Sequence, residues 1–290
     1  MPVMQPTPDD ITLRGINYES DDGTAFDGFE LTSDVSTFDG RNVGVLFLHG
    51  LRGFALGAGI SPVAHPLARA GARCLTINKR NSGKGYVTSE FDEIDNDIRG
   101  GVEWLAERGC DDVVLWGRSL GATEAAYYQG LRNDDDVDGL VLAAPFADIR
   151  ERSTRGYFEA VSDDPDEAYE SFVDEARELV DAGRENEIVA LPRPVGDEIE
   201  YIPMTAAAFL SYRSPESACA TIDWVPEIDV PSLLLPHASD RNVTPAEATE
   251  IADAYPDSTS VTVHPVEADH FFTGAESQVA GVTADFLRSL

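Results

Sequence analysis

The length and composition of the chain fit one large α/β domain and exclude several classes of protein. The 290 residues include 53 acidic and 21 basic side chains, which gives a formal net charge of −32 at pH 7. A surface so negative repels nucleic acids and anionic membranes. Because no apolar run could cross a bilayer and no signal-peptide pattern opens the chain, we expect a soluble, cytoplasmic protein.

The acidic composition, together with the use of arginine in place of lysine, favours a protein adapted to concentrated salt. Lys79 and Lys84 are the only lysines, and every other basic residue is Arg. In molar salt the Debye length shrinks to about 3 Å, which screens the repulsion between crowded carboxylates. We therefore hypothesise a halophilic, archaeal source, and we expect the thermal midpoint to fall when salt is removed.

The first part of the chain alternates between strand and helix patterns. Ser61 followed by Pro62 is typical of a helix start, and Gly71 ends the same helix. An Asp-Asp-Gly turn at 21–23 joins two leading strands that we expect to be antiparallel. Strands are predicted at 11–18, 26–31, 42–48 and 72–78, and helices at 61–70 and 90–108.

A strand, a Gly-x-Ser-x-Gly motif and a helix follow one another between residues 112 and 128. Residues 113–116 are apolar, as in a strand buried on both faces, and the Ala-rich stretch after Gly121 favours a helix. In a sharp strand-to-helix turn, Ser119 is held out at a helix N-terminus that stabilises developing negative charge. The alternative is that Ser119 is an ordinary N-cap beside two turn glycines. We favour the catalytic interpretation because the flanking strand and helix are the required context.

The alternation stops after a strand at 140–144 and resumes near residue 222. Residues 147–221 are predicted to be an insertion of helices and loops. Its helices are predicted at 165–182 and 205–212, and beyond it we predict strands at 232–235 and 260–264 and helices at 245–255 and 276–290. We therefore divide the chain into a core, residues 1–146 and 222–290, and an inserted helical lid.

Strands that alternate with helices predict a mainly parallel, doubly wound sheet with helices on both faces. In such a sheet, functional groups gather on the loops beyond the carboxyl ends of the strands. This rule brings together the loops that carry His49, Lys79, Ser119, Asp240 and His270.

A nucleophilic serine needs a base, usually a histidine that a carboxylate orients. We favour His270 because its loop, between the last strand and the last helix, reaches the same sheet edge as Ser119. Asp240 lies between a strand and a helix and is expected to orient His270. Glu267 and Asp269 are weaker alternatives, because they are too close in sequence to His270 to orient it from the side. The alternative for Asp240 is an exposed loop position. The remaining histidines are His49, His65, His237 and His264.

Metal and disulfide chemistry have no support in the cysteine pattern. Cys74, Cys110 and Cys219 are widely spaced, and none of the spacings matches a metal site or a disulfide framework. Cys74 lies in an apolar, strand-like run and is expected to be a buried core residue. We expect neither a bound metal nor an organic cofactor.

Taken together, these residues resemble the α/β-hydrolase superfamily. The order Ser119, Asp240, His270 is that family's order, and the motif Asp-x-x-Val-x-Pro at 240–245 resembles its acid turn. The likeness covers roughly residues 9–146 and 222–290. The insertion stands where the family carries its variable lid.

The resemblance also implies an oxyanion hole. His49-Gly50 after a strand resembles the family's oxyanion loop, which implies that the backbone N–H groups of Leu120 and Leu51 are the two donors. The loop at 78–83 departs from the family's Asp-x-Arg-Gly-x-Gly pattern, so Arg80 is given only a structural role.

The resemblance implies a serine hydrolase of the esterase and peptidase-like branch, acting on a carboxylic ester through an acyl-enzyme. Dehalogenases are disfavoured because they need Asp where this chain has Ser119. Phe209 and Tyr212 of the insertion are expected to line a pocket over Ser119 for a small, neutral ester; the alternative is that they only pack against the core. An aminopeptidase or amidase, and a non-catalytic ligand-binding member of the fold, remain alternatives. We expect a monomer or a homodimer.

Overall fold

A computed structural model describes residues 10–35, 38–195, 198–240 and 243–290 of the chain. The described strands are β1 (Thr12–Glu19), β2 (Ala25–Thr32), β3 (Val43–Leu48), β4 (Arg73–Ile77), β5 (Asp112–Arg118), β6 (Gly139–Ala143), β7 (Ile188–Val195), β8 (Glu198–Thr205), β9 (Ser232–Leu235) and β10 (Val261–Val263). The described α-helices are α1 (Ser61–Arg69), α2 (Ile94–Ala106), α3 (Leu120–Arg132), α4 (Thr154–Phe158), α5 (Pro165–Asp181), α6 (Ala206–Arg213), α7 (Thr221–Trp224), α8 (Pro245–Ala254) and α9 (Glu276–Ser289).

An eight-stranded sheet lies at the centre of the molecule, in the order β1-β2-β4-β3-β5-β6-β9-β10. β1 pairs antiparallel with β2, and β2 pairs antiparallel with β4, whereas the other neighbours are parallel. Every residue of β3 and β6 is buried, as expected for parallel strands covered on both faces. The predicted mainly parallel, doubly wound sheet is confirmed.

Helices cover both faces of this sheet. α1 and α9 pack together on one face, over an apolar cluster that includes Val63, Leu67 and Val279. α2, α3 and α8 cover the other face, over a cluster that includes Val102 and Ile251. Among the residues that the structure describes, no helix is both long and apolar enough to span a membrane.

The predicted helix at 90–108 begins later than expected, at Ile94. The four preceding residues turn toward α6 instead of continuing the helix. The Phe91 N–H donates to Ser211 Oγ at 2.7 Å, and the Ser211 hydroxyl donates to the Asp92 carboxylate at 3.1 Å. A long-range contact therefore replaces the first helical turn.

The prediction of only helices and loops between residues 147 and 221 is wrong for one stretch. β7 and β8 form an antiparallel hairpin, separate from the main sheet. The sequence-based prediction missed this hairpin because it contains several prolines. Proline cannot donate a hydrogen bond to a neighbouring strand, so a proline within a segment argues against a strand. The three prolines occur in alternate pairs of the hairpin, namely Ala190–Pro203, Pro192–Tyr201 and Pro194–Ile199. Because hydrogen-bonded and non-hydrogen-bonded pairs alternate along an antiparallel ladder, all three belong to the same kind of pair. The intervening pairs, such as Leu191–Ile202 and Arg193–Glu200, contain no proline, so their N–H groups can form the hydrogen bonds that join the two strands.

Candidate active site

The turn from β5 into α3 holds Ser119 in a strained conformation. Ser119 has φ of 57° and ψ of −125°, a region that L side chains rarely adopt. Its N–H donates to the carbonyl of Ala143 at 2.9 Å, and its carbonyl accepts from the N–H of Ala122 at 2.9 Å. The neighbouring strand and the first helical turn thus hold the strained residue from both sides.

The two glycines of the motif are required by close backbone packing. A Cβ at Gly117 would lie 2.7 Å from Ala122 Cα, and a Cβ at Gly121 would lie 2.8 Å from the carbonyl oxygen of His49. Both distances are shorter than those that real Cβ atoms show, so only glycine fits at these two positions, where β5, α3 and the loop after β3 come together.

The loop after β3 passes directly over Ser119. A Cβ at Gly50 would lie 3.1 Å from Ser119 Cβ and 3.4 Å from Ser119 Oγ. The loop closes in a turn in which the Gly53 N–H donates to the Gly50 carbonyl at 2.9 Å. Leu51 lies within this turn, and Leu120 is the first residue of α3, whose N–H has no acceptor within the helix. Their role as oxyanion donors stays a prediction.

Asp240 and His270 are brought together on neighbouring loops. His270 Nδ1 lies 2.6 Å from Asp240 Oδ2, and the Asp240 side chain is buried. The other carboxylate oxygen of Asp240 accepts from the Val243 N–H at 3.3 Å. Residues 241 and 242 of the predicted acid turn lie outside the described residues. A buried carboxylate at this distance holds the histidine ring in one orientation and one tautomer.

Backbone hydrogen bonds carry the pairing of β9 and β10 onward into these two loops. The Ala238 N–H donates to the Val266 carbonyl at 2.9 Å, and the Ser239 N–H donates to the Ala268 carbonyl at 3.0 Å. The parallel alignment thus continues almost to Asp240, which is why two residues far apart in sequence meet.

Arg118, at the end of β5, connects the His270 loop with the turn at Ser119. Its guanidinium donates to the His270 carbonyl at 3.0 Å and lies 4.6 Å from the centre of the Phe271 ring. Gly59 makes room for it, since a Cβ there would lie 2.8 Å from Arg118 Nη2. Burial lowers the pKa of Arg118 to about 10, so the group stays charged at neutral pH. Sequence reasoning missed Arg118; the available indication was a basic residue ending an apolar strand.

Residues 16–225 match the sequence profile of a family described as a protein of unknown function, DUF1749. The chain belongs to this family. The matched range includes Ser119 and the insertion but ends before Asp240 and His270. No curated protein matches the sequence.

Solved structures similar to this DUF1749 chain share its α/β-hydrolase fold. The esterase Pf2001 of Pyrococcus furiosus is 19% identical, with a TM-score of 0.65 over 96% of this chain and 91% of its own. The α/β hydrolase GrgF from Penicillium sp. sh18 is 14% identical, with a TM-score of 0.70 over 96% of this chain and 98% of its own. Est1E from Butyrivibrio proteoclasticus, solved with ferulic acid, is 14% identical, with a TM-score of 0.66 over 93% and 97%. At these identities the likeness shows the fold.

Two other histidines of this DUF1749 chain are buried near the same sheet edge. His49 Nδ1 lies 2.9 Å from the Gly50 carbonyl and Nε2 lies 2.6 Å from Ser82 Oγ. Burial and the nearby Lys79 charge hold the pKa of His49 well below its usual range, so it is neutral and bonded within its loop. Burial likewise lowers the pKa of His237 to about 4.

A buried polar network lies below the Gly50 loop. Lys79 and Glu124 form an ion pair, and both side chains are 0% exposed. Asn81 Nδ2 donates to Glu124 at 2.6 Å and to the Tyr212 hydroxyl at 3.2 Å. Sequence reasoning placed Lys79 in the correct loop but missed the pair. The one available indication was that Lys79 is one of only two lysines among 21 lysine and arginine residues.

Phe209 and Tyr212 are fully buried on α6. Their rings pack against Phe172 and Phe91, with centroids 4.9 Å and 5.5 Å apart. The same apolar cluster includes Leu120, with Leu51 packed at its border. Their contact with a substrate stays a prediction.

Proposed function

We propose that this protein is a serine hydrolase that cleaves a carboxylic ester through an acyl-enzyme, with Ser119 as nucleophile, His270 as base and Asp240 orienting His270. The observation that carries the proposal is the 2.6 Å contact between His270 Nδ1 and the buried Asp240 carboxylate. The loop that carries His270 is joined by a hydrogen bond to Arg118, the residue that directly precedes the strained Ser119.

The Asp240–His270 contact supports the following mechanism. The Nδ1–H of His270 donates to Asp240, which leaves Nε2 free to take the proton of the Ser119 hydroxyl as its oxygen attacks the ester carbonyl. His270 returns that proton to the leaving alcohol, and water then hydrolyses the acyl-enzyme by the same route. The N–H groups of Leu120 and Leu51 would stabilise the oxyanion, each by about 3 kcal/mol in the transition state. Side chains supply every proton transfer, so the chemistry needs neither a metal nor an organic cofactor.

We further propose that residues 147–221 form a lid that selects the substrate. Phe209 and Tyr212 share an apolar cluster with Leu120, which supports a position of the lid beside the nucleophile. Glu200 of the β7–β8 hairpin pairs with Arg52 of the Gly50 loop at 2.6 Å. Acidic residues on the outside of the insertion disfavour anionic substrates, so we propose a neutral ester with a small to medium apolar acyl group. The net charge of −32 further supports a protein adapted to molar salt.

The Ser119→Ala variant tests the proposed reaction. We expect turnover of p-nitrophenyl esters to fall by at least about 10³-fold, with unchanged circular dichroism, because no other group replaces the nucleophile. The matched control is Ser171→Ala, an exposed position on α5. A fluorophosphonate probe should label the wild type and Ser171→Ala but not Ser119→Ala. An Ser119→Ala variant that keeps most of its activity contradicts the proposal.

A further inference from the structure

Lys79 occupies an unusual place in this chain. It is one of only two lysines among 21 basic residues, and its side chain is 0% exposed. Its partner Glu124 is equally buried. Burying an ion pair costs desolvation free energy, and apolar residues of similar volume often give equal or greater stability. A gain in stability therefore does not explain why an ion pair is buried here.

The ammonium group of Lys79 joins the Gly50 loop to the helix that follows Ser119. Besides Glu124, it donates to the backbone carbonyl of His49 at 3.0 Å. His49 immediately precedes Gly50, which lies against Ser119. Glu124 is on α3, five residues after Ser119. One buried cation thus sets the distance between the loop and the helix that carry the two proposed oxyanion donors.

The His49 ring fixes the same loop from its other side. Its Nδ1 lies beside an acceptor, the Gly50 carbonyl, so Nδ1 carries the proton and Nε2 accepts from the Ser82 hydroxyl. The Ser82 oxygen in turn accepts from the Lys79 N–H at 2.7 Å. Both ring nitrogens of His49 and the Ser82 hydroxyl therefore have partners, which favours a rigid bridge, whereas the buried Oδ1 of the neighbouring Asn81 has none among the described residues.

The network also reaches the insertion. Asn81 donates to Glu124 and to the hydroxyl of Tyr212 on α6. The position of α6 is therefore coupled, through three hydrogen bonds and one ion pair, to the carbonyl of His49.

We propose that the Lys79–Glu124 pair positions the Gly50 loop over Ser119, and that Asn81 couples this position to the seating of α6. The inference rests on the proposed serine hydrolase function. Lys79 is a positioning residue: it acts through the His49 carbonyl on donors that must match the oxyanion, where a misplacement of about 1 Å costs on the order of 10²-fold in rate.

The decisive variant is the double substitution Lys79→Met with Glu124→Leu, because it removes both charges and leaves neither buried alone. We expect kcat for a p-nitrophenyl ester to fall at least about tenfold while KM stays within about twofold. Affinity for a trifluoromethyl ketone, whose adduct carries an oxyanion, should fall by the same factor as kcat. Affinity for the unfluorinated ketone should not change. The control is Lys84→Met, which removes the exposed second lysine.

A folded double variant with kcat within about twofold of wild type would overturn the inference, as would equal losses for the two ketones. If the double variant does not fold, Asn81→Ala tests the proposed coupling instead. A kcat reduced at least about threefold at constant KM supports the coupling, and an unchanged kcat overturns it. Failure of the proposed function is separable, because it would appear as activity that survives in Ser119→Ala.

Discussion

The two halves of the candidate site are held by different forces. The nucleophile half, named for the proposed role of Ser119 and formed by Ser119 and the Gly50 loop, is fixed by backbone packing so close that an added Cβ at Gly121 would collide with the preceding loop. The acid–base half, named for the proposed roles of Asp240 and His270, is fixed by hydrogen bonds between two loops. A side chain added at a glycine of the first half should therefore damage the fold, whereas loss of the Asp240–His270 hydrogen bond in the second half should damage the chemistry while the fold survives.

Among the changes that leave Ser119 in place, Asp240→Asn should give the largest effect. An amide cannot fix the required tautomer of His270, so we expect kcat to fall by about 10³- to 10⁴-fold, or about 4–5 kcal/mol, with an unchanged thermal midpoint. Steady-state hydrolysis of a p-nitrophenyl ester measures the loss. Asp269→Asn is the control, since Asp269 caps its own loop by accepting from the N–H groups of Phe271 and Thr273. If Asp269→Asn is the more damaging change, the assignment of the acid is wrong.

Gly121→Ala should affect stability rather than chemistry. The new methyl group would lie 2.8 Å from the His49 carbonyl oxygen and closer still to that of Leu48. We expect a loss of about 3 kcal/mol or more in the free energy of unfolding, measured with urea. Gly281→Ala on α9 is the matched control, because a Cβ there meets nothing within 4 Å. That control should gain up to about 1 kcal/mol from helix propensity. Equal effects at the two glycines would refute the packing argument.

His237 should make the acid–base half sensitive to acid. Burial holds its folded pKa at about 4, against about 6.5 in the unfolded chain. Between these values the unfolded state binds more protons, so stability is full above about pH 6.5 and falls toward pH 4, by up to about 3 kcal/mol. His237→Leu should remove this part of the slope when unfolding is measured from pH 7 to 4. His264→Gln, at a half-buried position, controls for loss of a histidine. An unaltered slope in His237→Leu would mean that the burial is not maintained.

Arg118→Met should give a smaller loss, because it severs the bond that joins the two halves without removing a reacting group. We expect kcat to fall by about tenfold, or about 1.4 kcal/mol, through a less ordered His270. Arg108→Met is the control, since Arg108 also lies over an aromatic ring, that of Trp104, but away from the site. A variant with wild-type kcat would show that the His270 loop is held by its other contacts alone.

The parts of the structure that could be predicted from the sequence are those that local pattern determines. Buried apolar runs predicted β3, β5 and β6, and the rule that parallel strands end at one edge predicted that Asp240 and His270 would meet. The Lys79–Glu124 pair could not be predicted, because no local pattern tells a buried charge from a solvated one. The start of α2 was misplaced for a related reason: its first turn depends on Ser211, which is distant in sequence.

The prolines of the β7–β8 hairpin also bear on how copies of this protein behave toward one another. An exposed strand edge is a template on which a second chain can add, and many proteins protect such edges with charge. In concentrated salt that protection weakens, because repulsion between carboxylates extends only about 3 Å. The exposed Pro194 on one strand and the exposed Pro203 on the other lack N–H donors that an added strand would need. At these two positions the hairpin is protected against intermolecular β-pairing by covalent structure, which does not depend on ionic strength.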